Sequence, residues 1–184
     1  MADILIVAAT EAELCGWEGL VCGVGPVEAA AASARALAMR AVDAVLHVGI
    51  AGARRDCGLA VGSIVVGAQA WYEDLVTTRR LAPDRLDADP RLVAAACEEL
   101  GVEPVLIGTT AKVAGGSCDV EAMEGFAVLR AAQLAGVPAV EVRAISNHVE
   151  DARADWRIDD ALGALALALP RLTASIAAAV SALR

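Results

Sequence analysis

The chain alternates short apolar runs, rich in β-branched residues, with alanine-rich stretches of helical length, and this alternation most constrains its fold. The apolar runs lack a polar residue at every second position, which is typical of strands buried on both faces. Strands that alternate with helices favour an α/β fold, here a three-layer α/β/α sandwich around a central mixed sheet. The predicted strands are residues 4–8, 44–48, 63–68, 105–109 and 139–145.

Helices are predicted at residues 27–41, 90–100 and 123–135, because Pro90 suits a first turn and Gly101 and Gly136 suit C-terminal caps. The apolar segment 161–183 is interrupted by Pro170 and diluted by serine and threonine, so it predicts a buried helix, kinked or split near Pro170, and no membrane span. The polar segment 77–89 is predicted to be a surface loop.

Length and charge limit the organisation and the partners of the chain. Its 184 residues, 58% hydrophobic, predict a single domain over residues 1–184. A net charge of -9 argues against a nucleic-acid surface, which needs clustered positive charge. The expected partner is therefore a small molecule or another copy of the chain.

The cysteines and the N-terminus indicate a reducing compartment. Five scattered cysteines include no CxxC pair, and His47 and His148 complete no metal-ligand spacing, so we expect free thiols and no metal. The N-terminus lacks the basic region and long apolar segment of a secretory signal, which predicts a cytoplasmic protein.

In α/β folds ligands gather at the carboxyl ends of strands and the amino ends of helices. Five segments hold such positions: 10–13, 23–26, 49–53, 122–125 and 146–147. The loop GVGPVEAA has two glycines of a dinucleotide fingerprint, but Glu28 fills the third small position, so turn glycines are the favoured interpretation. GIAGA, at 49–53, is interpreted as a glycine loop that turns sharply or lets backbone amides approach a ligand.

Each polar residue at these positions has an ordinary structural explanation. Glu13 and Glu124 suit helix starts, and Asn147 suits a turn. Arg143 lies in an apolar strand and needs a partner, which Glu141 supplies two residues earlier on the same face. Their combination, rather than any one of them, indicates a site.

Several motifs in a fixed order identify a family. AATEAEL, GVGPVEAA, HVGIAGARRDCGLAVGSIVVGAQAWYED, VEAMEGFAVL and VRAISN span nearly the whole chain and together resemble the nucleoside phosphorylase and nucleosidase superfamily. Within it, GIAGA, MEG and SNHVEDARADWRIDDAL are most similar to the futalosine hydrolases. The resemblance implies hydrolysis of the N-glycosidic bond of futalosine, with release of hypoxanthine on the menaquinone pathway, without a cofactor.

The resemblance also implies roles for individual residues. Glu13 matches the acid that activates the attacking water, and Arg143 matches an arginine near that water and the active-site acid. Met123 and Glu124 match the ribose-contacting pair, and Asn147 matches the residue that contacts the base. Base contacts are also expected at Val113 and Phe126, and loops near the site at Gly25, Ile50 and Gly52.

Two departures from the family pattern keep alternatives open. The chain is shorter after Tyr72 and between Gly116 and Val120, and no aromatic residue occupies 111–113, where relatives stack the base. A stacking partner must then come from another aromatic residue or from a second subunit of a homodimer or larger oligomer. The alternatives are a methylthioadenosine/S-adenosylhomocysteine nucleosidase, a phosphorylase that uses Arg54 and Arg55, and a non-catalytic nucleoside-binding module.

Overall fold

The computed structural model describes residues 2–76 and 81–182, and their strands form one mixed sheet. Strand β2 forms one edge of the sheet beside β1, which also pairs in parallel with β3. Strand β5 forms the other edge beside β4. The strands are β1 (Ile4–Ala8), β2 (Leu20–Val21), β3 (Ala44–Ala53), β4 (Ile64–Tyr72), β5 (Arg85–Asp87), β6 (Pro104–Thr109), β7 (Val120–Ala122) and β8 (Ala139–His148).

Strand β8 closes part of the sheet into a ring. It pairs in parallel with β3 and antiparallel with β4, while β4 continues through β6 and β7 back to β3. The pairing of β3 with β8 contains a bulge: Ala51 lies opposite Ile145, but the next residue, Gly52, lies opposite Asn147, so Ser146 is the extra residue.

In the described part of the chain, four α-helices pack on the sheet in two pairs, the first with the third and the second with the fourth. Asp89 caps the second helix by accepting from the backbone amides of Arg91 and Leu92, and Gly101 and Gly136 adopt left-handed conformations where two helices end. The helices are α1 (Pro26–Met39), α2 (Pro90–Leu100), α3 (Gly125–Ala135) and α4 (Ile158–Ser181).

These elements confirm the α/β class with a central mixed sheet and correct several details of the prediction. Strands β3 and β8 are longer than expected, so GIAGA, with Ile50 and Gly52, belongs to a strand and is not a glycine loop. The predicted loop at 77–89 contains β5, while its residues 77–80 lie outside the described part. Helix α3 begins at Gly125, after Met123 and Glu124.

Helix α4 runs without division through Pro170, so the expected split there is wrong. Pro170 lies on the exposed face, while Leu165, Leu169 and Leu172 are fully buried and hold the helix against the core on both sides of the proline. By length and composition alone, α4 is apolar enough to cross a membrane. In the fold it packs on β8, β3, β1 and α2.

The main core lies between the sheet and the helices, and a smaller apolar cluster that includes Val65, Ile107 and Ile145 lies among strands of the ring. All five cysteines are free thiols, which confirms that part of the prediction. Burial raises the pKa of the Cys22 thiol to about 11, with a further contribution from Glu124, so this thiol stays protonated at neutral pH.

Candidate active site

A cavity of about 320 Å³ lies near the carboxyl ends of the parallel strands β1, β3 and β8. Its wall includes residues just after β1, the last half of β3, the bulge of β8 and the segment that leads into α3. The position agrees with the general tendency of α/β sheets to bind ligands at strand ends.

Glu13 is positioned by the 3-10 turn Ala12–Leu14 that follows β1. Its carboxylate is held by three donors: the backbone N–H of Ile50 donates to Oε1 at 2.9 Å, and the backbone N–H and hydroxyl of Thr10 donate to Oε2 at 3.0 and 2.7 Å. The residue is only 5% exposed, yet it lines the cavity. A fixed, buried acceptor therefore faces the space where a ligand would lie.

Glu124 occupies the N-terminal cap position of α3 and joins three parts of the chain. Its Oε1 accepts from the backbone N–H of Gly25 at 3.0 Å, and its Oε2 accepts from Nη2 of Arg143 at 3.3 Å. The loop before α1 and the strand β8 are thereby tied to the start of α3. Met123, the preceding residue, also lines the cavity.

Arg143 is completely buried behind the cavity wall. Its Nε donates to Oε1 of Glu141 at 2.8 Å, and its Nη1 donates to the carbonyl of Ile50 at 3.4 Å. The contact with Glu141 confirms the partner expected from sequence. Burial alone would lower the pKa of Arg143, but the carboxylates of Glu141, Glu124 and Glu13 outweigh it and raise the pKa, so the guanidinium remains charged.

His47 extends this network on the side of β1. Its Nδ1 lies 3.0 Å from the carbonyl of Val7, and its Nε2 meets Nη2 of Arg143. Because an arginine can only donate, Nε2 accepts and Nδ1–H donates to Val7. Burial, and secondly Arg143, lower the pKa of His47 well below its usual range, so the imidazole is neutral.

Close packing explains the glycine of the MEG motif. Burial raises the pKa of Glu141, and its Oε2 has no hydrogen-bond partner among the described residues. A Cβ on Gly125 would collide with that oxygen, so only glycine lets α3 begin so close to Glu141.

The bulge of β8 brings two consecutive side chains, Ser146 and Asn147, to the cavity. The hydroxyl of Ser146 lies 3.2 Å from the carbonyl of Ala51 and 2.8 Å from Oδ1 of Asn147. Nδ2 of Asn147 donates to the carbonyl of His148 at 2.9 Å. The carboxamide is thus oriented by its neighbours and retains one N–H for a ligand.

Most of the residues singled out from sequence meet at this cavity. Glu13, Ile50, Gly52, Val113, Met123, Glu124 and Asn147 line it. Gly25 and Arg143 contact Glu124 from behind the wall. Phe126 is not part of the wall: it is buried, and its ring stacks on Tyr72 with centroids 5.4 Å apart.

The structure adds Arg153 and Glu121 to the site, and it brings to the cavity Trp156, one of the aromatic residues that remained open as a stacking partner. Arg153 and Trp156 line the cavity, and the guanidinium lies 4.1 Å from the centroid of the indole. Glu121 also lines it and accepts from the backbone N–H groups of Ala114 and Gly116, at 2.6 and 3.1 Å, which holds the segment before β7. The block SNHVEDARADWRIDDAL, with its single tryptophan, carried the signal for the first pair.

Across residues 2–76 and 81–182, no group of three or more histidine, cysteine, aspartate and glutamate side chains is arranged to hold a metal ion. The polar groups that face the cavity are carboxylates, an amide, hydroxyls and one guanidinium. Such a set suits hydrogen bonding to a polar ligand together with proton transfer to or from a water.

Comparisons with known proteins agree with this geometry. The family model described as "Phosphorylase superfamily" matches residues 20–181. The futalosine hydrolase of Streptomyces coelicolor is 35% identical over 195 residues, which cover 85% of this chain and 78% of the relative. The futalosine hydrolase of Thermus thermophilus is 33% identical over 187 residues, with 86% of this chain and 82% of the relative covered.

A solved structure shares the fold. The S-adenosylhomocysteine nucleosidase of Streptococcus pyogenes, in complex with 5-methylthiotubericidin, superposes with a TM-score of 0.82 and 25% sequence identity. The superposition covers 94% of this chain and 96% of that one. The similarity therefore extends over nearly the whole of both chains.

Proposed function

Because this chain belongs to the phosphorylase superfamily and, within it, to the futalosine hydrolase family, we propose that it hydrolyses the N-glycosidic bond of futalosine and releases hypoxanthine. It is a nucleosidase, and a place in menaquinone synthesis stays a prediction. The whole chain, residues 1–184, is proposed to act as one domain.

The observation that carries the proposal is a pair of buried carboxylates that differ in how many further hydrogen bonds each can accept. A carboxylate offers about four acceptor sites. Glu13 receives three hydrogen bonds from the protein, which leaves roughly one site for a water molecule. Glu124 receives two, which leaves roughly two sites for the two hydroxyls of a ribose.

These capacities match the steps of nucleoside hydrolysis. Cleavage of the bond develops positive charge on the ribose, which hydrogen bonds between its hydroxyls and Glu124 would stabilise. Glu13 would orient a water and accept its proton as it attacks the anomeric carbon. Arg143 does not face the cavity and would act by fixing Glu124.

Asn147 supports a 6-oxopurine as the leaving base. Its free amide N–H can donate to N7 or to the 6-oxo group, and thereby stabilise the negative charge of the departing purine. A carboxylate at this position would favour adenine, since it accepts from a 6-amino group.

Hydrolysis is favoured over phosphorolysis by the arginines that follow GIAGA. Arg54 donates to the carbonyls of Cys118 and Gly116, and Arg55 pairs with Asp151. Neither lines the cavity. Both cations are therefore engaged elsewhere, which argues against their use in a phosphate pocket.

The proposal is tested by incubating the protein with futalosine, aminofutalosine, inosine and methylthioadenosine, each with and without phosphate, and measuring free base. Release of hypoxanthine from futalosine without phosphate is expected. A preference for aminofutalosine or methylthioadenosine would instead support an adenine nucleosidase. Binding without release from any of the four would support a non-catalytic nucleoside-binding module.

We also propose that the protein is a cytoplasmic homodimer or larger homo-oligomer. Val24 and Val113 line the cavity and are 56% and 47% exposed, and Val21 and Val27 are exposed as well. A second copy would cover these apolar side chains beside the cavity. Sedimentation equilibrium tests this: a mass near 18.7 kDa at micromolar concentration would contradict it.

A further inference from the structure

The cavity wall contains a positively charged side chain for which neither a purine base nor a ribose would be a partner. Among the described residues that line the cavity, Arg153 is the one with a positively charged side chain. It makes no ion pair or side-chain hydrogen bond with any other described residue, and instead stacks over Trp156 at 4.1 Å. The arginine is exposed and Trp156 is half-buried, so the pair lies where the cavity meets solvent.

Trp156 adds a second unused group at the same place. Its indole Nε1 is buried and has no acceptor among residues 2–76 and 81–182. A buried N–H without a partner is uncommon and calls for a water or a ligand atom. The pair therefore combines a charged donor in the cavity wall with an aromatic side chain whose buried N–H has no partner among the described residues.

We propose that Arg153 and Trp156 form a subsite for a negatively charged group that the nucleoside carries on its ribose, such as a carboxylate on a 5′ substituent. Purine and ribose are uncharged, and the inference rests on the proposed function, which assigns them to Asn147 and to Glu124. What remains for the guanidinium is a substituent beyond the sugar.

The surroundings favour an anion at this point and nowhere else in the cavity. Glu13, Glu121 and Glu124 line the remaining wall and would repel a second negative charge. Planar guanidinium groups bind carboxylates through paired hydrogen bonds, and stacking on an aromatic ring fixes the orientation of the fork. Ile158 and Leu162, from the first turns of α4, supply apolar contact for the body of such a substituent.

The test compares two inosine derivatives that differ only at the end of the 5′ substituent, one with a carboxylate and one with the corresponding carboxamide. Binding is measured by calorimetry and turnover by base release, for the wild-type protein, Arg153→Gln and Arg157→Gln. Arg157 is the matched control, since it lies in the same segment, is exposed, pairs with Asp160 and does not line the cavity.

We expect the wild-type protein and Arg157→Gln to prefer the carboxylate by about tenfold or more in Kd, as a charge-assisted hydrogen bond would give. Arg153→Gln should lose that preference while binding the carboxamide as before. Equal affinity of the wild-type protein for both compounds, or an unchanged preference in Arg153→Gln, overturns the inference.

Two further results distinguish the subsite from failure of the proposed function and from binding of free phosphate. Absence of base release from every nucleoside would defeat the proposed function, while the calorimetric comparison would still decide the subsite. If turnover needs phosphate and Arg153→Gln raises the concentration of phosphate required, the guanidinium binds free phosphate and the inference is wrong.

Discussion

Arg143 and Glu124 form an ion pair, 3.3 Å between Nη2 and Oε2, in which the guanidinium is fully buried and the carboxylate side chain is 5% exposed. Such pairs stabilise a fold little when compared with apolar side chains, but removal of one partner leaves a buried charge without compensation. Arg143 also holds Glu141, so one side chain balances two carboxylates.

Replacement of Arg143 by methionine is expected to lower the free energy of unfolding by about 3 to 5 kcal/mol, because Glu141 and Glu124 lose their shared partner. Arg171→Met is the control, since Arg171 is exposed and faces Glu99 at 3.6 Å. That change should cost less than about 1 kcal/mol. Urea unfolding measures both, and equal costs would contradict the role given to Arg143.

Glu13→Gln is expected to lower kcat for base release by about 10²- to 10⁴-fold, since an amide cannot accept the proton of the attacking water. KM should change little, because the ribose contacts remain. Glu11→Gln serves as the control, as Glu11 is an exposed glutamate in the same turn. A similar kcat for the two variants would remove Glu13 from the reaction.

Asn147→Asp should shift the ratio of kcat/KM between inosine and adenosine by about tenfold or more toward the 6-aminopurine, since a carboxylate accepts from the amino group. The measurement is base release from the two nucleosides, which differ only at position 6. An unchanged ratio would show that another group reads the base.

Gly49→Ala should displace Arg143 and Glu13, which lie against the backbone of Gly49. A Cβ there would collide with Nη1 of Arg143 and lie 2.6 Å from Oε1 of Glu13, so stability should fall by about 1 to 3 kcal/mol and kcat with it. Gly163→Ala is the control: it is an exposed position in α4 with open space around it. That variant should gain about 0.5 to 1 kcal/mol in the same unfolding assay.

Asp89 gives a stability change that depends on pH. Its hydrogen bonds with Arg91, and secondly those with the backbone amides of Arg91 and Leu92, lower its pKa in the folded state. The unfolded chain then binds the proton more readily, so the contribution is complete above the usual pKa of 3.8 and disappears as pH falls through the folded value.

Asp89→Ala should therefore lower the free energy of unfolding by about 1 kcal/mol at pH 6. The part of this loss that is due to the negative charge of Asp89 should vanish at low pH. Asp89→Asn separates the two parts, because asparagine caps a helix without a charge. Thermal unfolding from pH 6 to pH 3 follows the difference. A cost for Asp89→Ala that does not decrease at low pH would contradict the sign.

The sequence predicted the elements whose signals are local. Pro90 and Gly101 bracket α2, and its bounds agree with the prediction because the caps are set by nearest neighbours. Strands β2 and β7 were missed because two or three residues show no periodicity, and their pairing depends on distant partners. GIAGA was taken for a loop because its glycines mask a strand held by pairing with β8.

The residues of the site also divide into those that were predicted from sequence and those that were not. Glu13, Glu124 and Asn147 lie at ends of elements, where fold logic places ligands, and all three line the cavity. Arg153 and Trp156 reach the cavity because the segment after β8 returns to it, and in the sequence only the resemblance of the block SNHVEDARADWRIDDAL to relatives pointed to that segment. Phe126 was chosen for its ring, but its position in α3 directs it to Tyr72.

The bulge at Ser146 shifts the phase of β8 by one residue. In an unbroken strand, Asn147 would project to the same side as Arg143, toward the network that fixes the carboxylates. The shift separates the two, so Asn147, which is proposed to contact the base, can change without repacking Arg143 and the carboxylates that it fixes. Under the proposed roles, selectivity for the base can change while the frame of carboxylates stays intact, and a one-residue deletion in β8 would place both residues on the same side again.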